Sequence, residues 1–431
     1  MIKNLTLENW NQFKDLNINF HPQVTIITGT NGSGKSTIVR LISNLLGWEY
    51  KEIATPINSP DISSHFSAGI TPEKLRNLIK ENPNMGHIKI GNITCNNNQV
   101  GIDASIHGDS NIDLYVPRVT LGVDYPLDFY HVSNDFNIHG VSIASHRIPY
   151  TYSALKSIPV KPMTKGEAFN NYNESLKKRV FPEGYHNLQE DIPTSHIKAT
   201  LMSLALFGQD NDHITGDKEA YKVFKGFIRI LKILLPESLG FNDIMIKEGE
   251  VILKTDTGDF LIDSVSGGIG AVIDLAWQIY MYDKETPFLV IIDEIENHLH
   301  PSMQRNILPN LIKAFPHAQF IVTTHSPFVV NSVINSNVYA LKYDDNKKVC
   351  SFELDFNNKS ANALEILRDV LGVPVTLPIW IEEKLDVVIK KYSDTQLTAK
   401  TYTDLKNELS EIGLDEHMPQ ALDILQRGYV K

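Results

Sequence analysis

One octapeptide constrains this chain more than any other feature: Gly29-Thr30-Asn31-Gly32-Ser33-Gly34-Lys35-Ser36 fits the pattern G-x-x-x-x-G-K-[ST]. It follows the apolar run Val24-Thr25-Ile26-Ile27 and precedes Ile38, Val39, Leu41, Ile42, Leu45 and Leu46, which recur at helical spacing up to Gly47. A glycine-rich turn between a buried strand and a helix is a phosphate cradle. Its glycines let backbone N–H groups turn inward, and the helix N-terminus adds its positive dipole. A chance glycine-rich turn is the competing reading, and it leaves the strand and the helix on either side without a reason. The expected nucleotide-binding set is Gly29 to Ser36 together with Thr37, with Lys35 reaching the β- and γ-phosphates of ATP and the Ser36 hydroxyl ligating Mg²⁺.

Such a loop needs parallel strands beside it, and two more segments have that pattern. Phe288-Leu289-Val290-Ile291-Ile292 and Gln319-Phe320-Ile321-Val322-Thr323-Thr324 are runs of strand length that read as buried on both faces. The first ends in Asp293-Glu294, the second in His325. A carboxylate at the C-terminal edge of a parallel strand beside a phosphate loop is positioned to hold the metal, and a second can polarise the attacking water. Asp293 is therefore expected to share Mg²⁺ with Ser36, and Glu294 to act as the catalytic base. His325 is expected to hydrogen-bond the γ-phosphate or the water. Each of these residues also has a purely structural reading; the edge they share with the loop favours the catalytic one. Nearer the N-terminus, Leu5, Leu7, Leu16, Ile18 and Phe20 alternate with polar residues around Asn9-Trp10-Asn11-Gln12, which predicts a strand hairpin.

The expected fold class is α/β, a P-loop core of mixed or parallel sheet flanked by helices, built from residues 1–50 and 241–355. Residues 51–240 read as a large α+β insertion, with short strands such as Ile112 to Val116 giving way to a helical lobe around Phe224, Phe227 and Leu231. Residues 356–431 read as a C-terminal helical tail. With 51 acidic and 40 basic residues the net charge is −11, so the overall field does not draw the chain to nucleic-acid phosphates. Any such binding falls to a local patch, and Lys177-Lys178-Arg179 is the one compact basic run, which also reads as a solvated helix face. Cys95 and Cys350 are too few and too far apart for a disulfide framework or a structural zinc site. No apolar run reaches the ~20 residues of a membrane span, and no signal-peptide pattern opens the chain, so a cytoplasmic protein is expected.

Val265-Ser266-Gly267-Gly268 resembles the signature motif of the ABC-type P-loop ATPases, with Ile269 standing where that family often has Gln or Glu. The resemblance implies that Ser266, Gly267 and Gly268 face the γ-phosphate of ATP on a second subunit, and hence a homodimer or higher homo-oligomer that sandwiches nucleotide. A plain helix N-cap is the other reading of Ser266. Asp293-Glu294-Ile295-Glu296-Asn297-His298-Leu299-His300-Pro301, with Thr324-His325-Ser326-Pro327 and the opening Ile2 to Phe20, is similar to the OLD- and RecF-type branch. There His298 and His300 belong to a subunit contact rather than a metal pair. Ser145-His146-Arg147 resembles the position where relatives carry an arginine or glutamine near the γ-phosphate; a surface arginine is the alternative.

OLD-type nucleases continue into a Toprim domain, and Ile379-Trp380-Ile381-Glu382-Glu383 has neither the following Gly nor an Asp-x-Asp downstream. No nuclease centre is expected. Ile381, Leu385, Val388 and Ile389 instead mark an amphipathic helix, which either packs on the core or docks a partner with Trp380 as an anchor. An ATPase of this branch with a helical tail most resembles the ATPase subunits of Septu-type antiphage systems, including retron-associated ones, and next the ATPase of the PARIS system. That implies a nuclease or effector supplied in trans, HNH-type first and Toprim-type second. A RecF-like DNA-repair ATPase is the alternative function.

Overall fold

The computed structural model describes residues 1–48, 50–52, 55–59, 62–67, 69–70, 87–96, 109–117, 127–128, 130–131, 138–181, 192–210, 212–355, 366–371, 379–392 and 398–427. The chain divides into two compact units, Met1–Ile366 and Leu367–Lys431.

The first unit is organised by an eleven-stranded sheet. Its N-terminal strands are β1 (Ile2–Trp10), β2 (Phe13–Asn19) and β3 (Val24–Gly29), and β3 runs through the glycine loop into helix α1 (Lys35–Asn44). Then come β4 (His87–Asn96), β5 (Asp109–Pro117), β6 (Tyr130–His131) and β7 (Gly140–Ile143). The last members are β11 (Phe288–Ile292), β12 (Ala318–Thr324), β13 (Asn337–Tyr343) and β14 (Val349–Glu353). The order across the sheet is β6-β5-β4-β1-β2-β14-β13-β3-β12-β11-β7. From β13 to β7 neighbouring strands are parallel, and β3, β11 and β12 are buried along their whole length. That is why β11 reads as an unbroken apolar run and β3 and β12 as nearly so, with Thr25, Thr28, Gln319, Thr323 and Thr324 as their buried polar members. In the other half the pairs are antiparallel except β14 with β2, which is parallel, and Leu5, Leu7, Leu16 and Ile18 of the β1–β2 hairpin are fully buried as the alternation predicts.

The structure differs from the expected boundary at residue 51. Residues 51–240 supply β4, β5 and β6 to one end of the main sheet and β7 to the other, with Ile2 paired to Cys95 and Gly140 to Leu289. Pairing over such separations leaves no local mark in the sequence. The helical part of this region stands off the sheet: α2 (Lys165–Val180), α3 (Pro193–Phe207) and α4 (Lys218–Leu234). They pack with a three-stranded sheet of β8 (Phe241–Lys247), β9 (Glu250–Thr255) and β10 (Phe260–Leu261) and with α5 (Gly267–Tyr282). Aromatic residues join this lobe, with Phe227 of α4 edge-on to Trp277 of α5 at 5.1 Å between ring centres. Helix α6 (Pro301–Ala314) separates β11 from β12.

The second unit contains α7 (Ile379–Tyr392), α8 (Ala399–Glu411) and α9 (Met418–Arg427). Ile381, Leu385, Val388 and Ile389 are buried there against Leu405, Leu409, Leu414, Met418 and Ala421. The amphipathic face expected to meet either the ATPase core or a partner thus closes on the tail's own helices. The side chain of Trp380 lies outside the described residues. Among the described residues no helix is long and apolar enough to cross a membrane.

Candidate active site

The glycine loop is shaped by positions that tolerate no side chain. Gly29 and Gly34 have φ of +144° and +93°, and a Cβ on Gly29 would stand 2.5 Å from the Leu341 carbonyl oxygen. A Cβ on Gly34 would collide with Gln12 and Phe13 of the β1–β2 turn. Asn31 and Gly32 are exposed at the crest, Thr30, Ser36 and Thr37 are half-buried, and Ser33 is buried with a hydroxyl that has no hydrogen-bond partner. The Lys35 ammonium donates to the carbonyls of Gly29 and Thr30, both at 3.0 Å, so it lies across the mouth of the loop. Burial pushes its pKa down to about 8, against the opposing pull of Glu294, Asp293 and Glu296. A buried ammonium, an unpartnered hydroxyl and inward backbone fit an anionic phosphate chain.

The acids face this loop from across one intervening strand. β12 lies between β3 and β11, with Thr324 paired to Thr28 and Val322 to Ile292. Asp293 is buried, and its Oδ1 accepts a 2.5 Å hydrogen bond from the Thr323 hydroxyl. The same hydroxyl accepts from the Glu294 N–H at 2.8 Å, so Thr323 fixes both acids. Glu294 sits at φ +46°, a left-handed conformation that costs a non-glycine residue about 1–2 kcal/mol. Its carboxylate accepts from the Asn297 amide at 2.7 Å. Glu296 accepts from the Thr324 hydroxyl at 2.8 Å and from the His325 N–H at 2.5 Å, tying the two strand ends together. Burial, then the Lys35 charge, push the His325 imidazole below its ordinary range despite the three carboxylates nearby. Both effects favour the neutral form of the half-buried ring. Asp293 and Ser36 are oxygen donors of the kind Mg²⁺ takes, and Thr323 engages only one oxygen of Asp293.

Several contributors escaped the sequence reading. Thr323 looked like one more strand residue, and Glu296 and Asn297 had no assigned chemistry. Arg147 is not a surface residue: only 7% is exposed, and it donates to the carbonyls of Asn297 (2.9 Å) and Glu294 (3.4 Å), bracing the acid-bearing turn from behind. His300 is the N-cap of α6, its Nδ1 accepting from the Ser302 N–H at 3.3 Å, while His298 is exposed at φ +67°. Lys177 of the basic run sits in the last turn of α2 and donates to the Gly47 carbonyl at 3.0 Å.

Ser266 occupies the N-cap position of α5, yet its side chain makes no capping bond. Ser266 and Gly267 are exposed, and a Cβ on Gly267 would meet nothing within 4 Å. Gly268 lies against the acid-bearing turn, where a Cβ would stand 2.9 Å from the His298 carbonyl oxygen.

Two family models match the chain: one described as "AAA domain" over residues 4–153, and one whose description opens "AAA domain" and closes "Type IV TA system" over residues 179–331. The chain is similar to "Septu protein PtuA" of Bacillus thuringiensis, at 23% identity over 401 residues, 89% of this chain and 87% of the relative. It is 56% identical over 183 residues to "Retron Ec83 probable ATPase" of Escherichia coli, a match spanning 42% of this chain but only 32% of that relative. A solved "SMC head domain from Thermotoga maritima" aligns with 82% of this chain and 99% of its own at 16% identity and a TM-score of 0.42.

Proposed function

We propose, from the premise that this chain is an ABC-type P-loop ATPase of the antiphage-defence class, that it is the ATP-binding and ATP-hydrolysing regulatory subunit of a defence complex. It controls a separate nuclease or effector subunit, HNH-type in preference to Toprim-type, through ATP-dependent dimerisation. The observation that carries this reading is the start of α5, where Ser266 and Gly267 are exposed and uncapped while Gly268 abuts the acid-bearing turn. The free N–H groups of a long helix are a ready anion site, and here they suit the γ-phosphate of a neighbouring copy.

In this reading the loop from Gly29 to Thr37 cradles the triphosphate and Lys35 moves from its own carbonyls to the β- and γ-oxygens. Ser36 and Asp293 would hold Mg²⁺, which neutralises phosphate charge when bound. Glu294, steadied by Asn297 and Arg147, accepts a proton from the attacking water, and neutral His325 hydrogen-bonds the γ-phosphate or that water. The competing DNA-repair reading needs a basic groove, and Lys177 is already engaged with the Gly47 carbonyl.

Complementation in trans tests the composite site. Lys35→Ala disables one subunit's loop and Ser266→Arg the other's signature; each alone should be inactive, and their mixture should regain ATPase activity. A mixture no more active than its parts excludes the sandwich. Co-purification with a nuclease encoded next to this chain tests the partner.

A further inference from the structure

The two flanks of the glycine loop are built from different parts of the sheet. β12 and β11, with the acids and His325, lie on one side of β3; β13, β14 and β2 lie on the other. A triphosphate whose γ end meets the acids leaves its nucleoside on the second side. There the β13–β14 hairpin and the β1–β2 turn are joined: the Val349 N–H donates to the Gln12 carbonyl at 2.8 Å and the Lys348 ammonium to the Asn11 carbonyl at 3.2 Å.

Tyr343 ends β13 at this junction. Its hydroxyl donates to the Gly32 carbonyl at 2.9 Å, while the residue as a whole is 47% exposed. The turn that carries it is closed by Asp344, whose Oδ1 accepts from the N–H groups of Asn346 (2.9 Å) and Lys348 (2.8 Å). The ring is thus anchored at its tip and at its base, with area left open. Trp10 and Phe13 of the β1–β2 turn are fully buried and have no face to offer a ligand. Beside Tyr343 in this junction, Gln12 is half-buried against Gly34, and its carboxamide makes no hydrogen bond among the described residues.

We infer that Tyr343 and Gln12 form the base-recognition side of the nucleotide site, the tyrosine ring stacking on adenine and the Gln12 carboxamide pairing with its polar edge. A carboxamide presents one donor and one acceptor side by side, which matches the paired amino group and ring nitrogen of adenine. The inference rests on the ATP reading of the loop.

Calorimetric titration of the full chain with Mg-ATP and, separately, with magnesium tripolyphosphate tests it. The second probe has the phosphates and no base. Tyr343→Ala should weaken ATP binding about tenfold, the scale of one aromatic stack on a base, and leave tripolyphosphate binding unchanged. Tyr343→Phe should keep ATP affinity, since it keeps the ring, and Gln12→Ala should weaken ATP alone. Equal losses for both probes would mean that Tyr343 acts only by shaping the loop through Gly32, and the inference would be wrong. So would undiminished ATP binding in Tyr343→Ala. If the wild-type chain binds neither probe, the ATP reading itself falls and takes this one with it.

Discussion

Thr323→Val isolates the hydroxyl that holds both acids. The substitution keeps the buried shape of a β-branched strand residue and removes two hydrogen bonds, to Asp293 Oδ1 at 2.5 Å and from the Glu294 N–H at 2.8 Å. An interior bond to a charged group contributes about 1.5–3 kcal/mol, and a stranded backbone N–H costs about 1–3 kcal/mol. Both losses pass through one oxygen and overlap, so the expected destabilisation is about 3 kcal/mol. Turnover should fall at least about tenfold, equivalent to about 1.4 kcal/mol, because both acids lose their fixed positions. Half-maximal activity should also require more Mg²⁺. Urea unfolding and a Mg²⁺ titration of phosphate release measure the two effects, with Thr323→Ser as the variant that restores the hydroxyl. A valine variant within about 0.5 kcal/mol of wild type and with an unchanged Mg²⁺ requirement would refute the reasoning.

Glu294→Gln should retain ATP binding and the bond from Asn297 while turnover drops by about 10²–10⁴, the usual contribution of a general base; turnover near wild type in a phosphate-release assay removes Glu294 from that role. Lys35, held near pKa 8 in the free protein, should regain a higher value beside a triphosphate. Binding should then take up protons between about pH 8 and 10 and weaken as pH rises through that window, with no uptake well below it. Calorimetry at pH 8.5 in buffers of different ionisation enthalpy reports this, and a heat that does not depend on buffer contradicts it. Leu385→Asp places a charge in the tail's own core and should unfold α7 to α9 while leaving ATP binding intact. Limited proteolysis with ATP titration checks that, and a loss of ATP binding would show that the tail supports the ATPase unit.

The parts of the fold that could be read from the chain are those whose physics is local. A strand buried on both faces is mostly apolar, so β11 and β12 stood out, and the loop after β3 has glycines where the backbone needs φ that other residues avoid. The acids and His325 followed from their places at strand ends. Roles that depend on distant partners stayed hidden. Ile2 pairs with Cys95 and Gly140 with Leu289, contacts that put β4 and β7 into the core sheet although the composition around them resembles an insertion. Arg147 could not be told from a surface arginine because its partners, the Glu294 and Asn297 carbonyls, are backbone atoms about 150 positions away. The spacing of Ile381, Leu385, Val388 and Ile389 showed that a face must be covered, and left open what covers it.

Glu296 gives the site its mechanical character. By holding Thr324 and the His325 N–H it welds the turn after β12 to the turn after β11, and that second turn is braced by Arg147 and rests against Gly268. A turn fastened at three points would move as one piece, because packed contacts switch between arrangements rather than stretch. The start of α5 is therefore in contact with the same braced turn that carries the acids and is tied to His325. Any displacement of the acids would be passed to the start of α5 through Gly268.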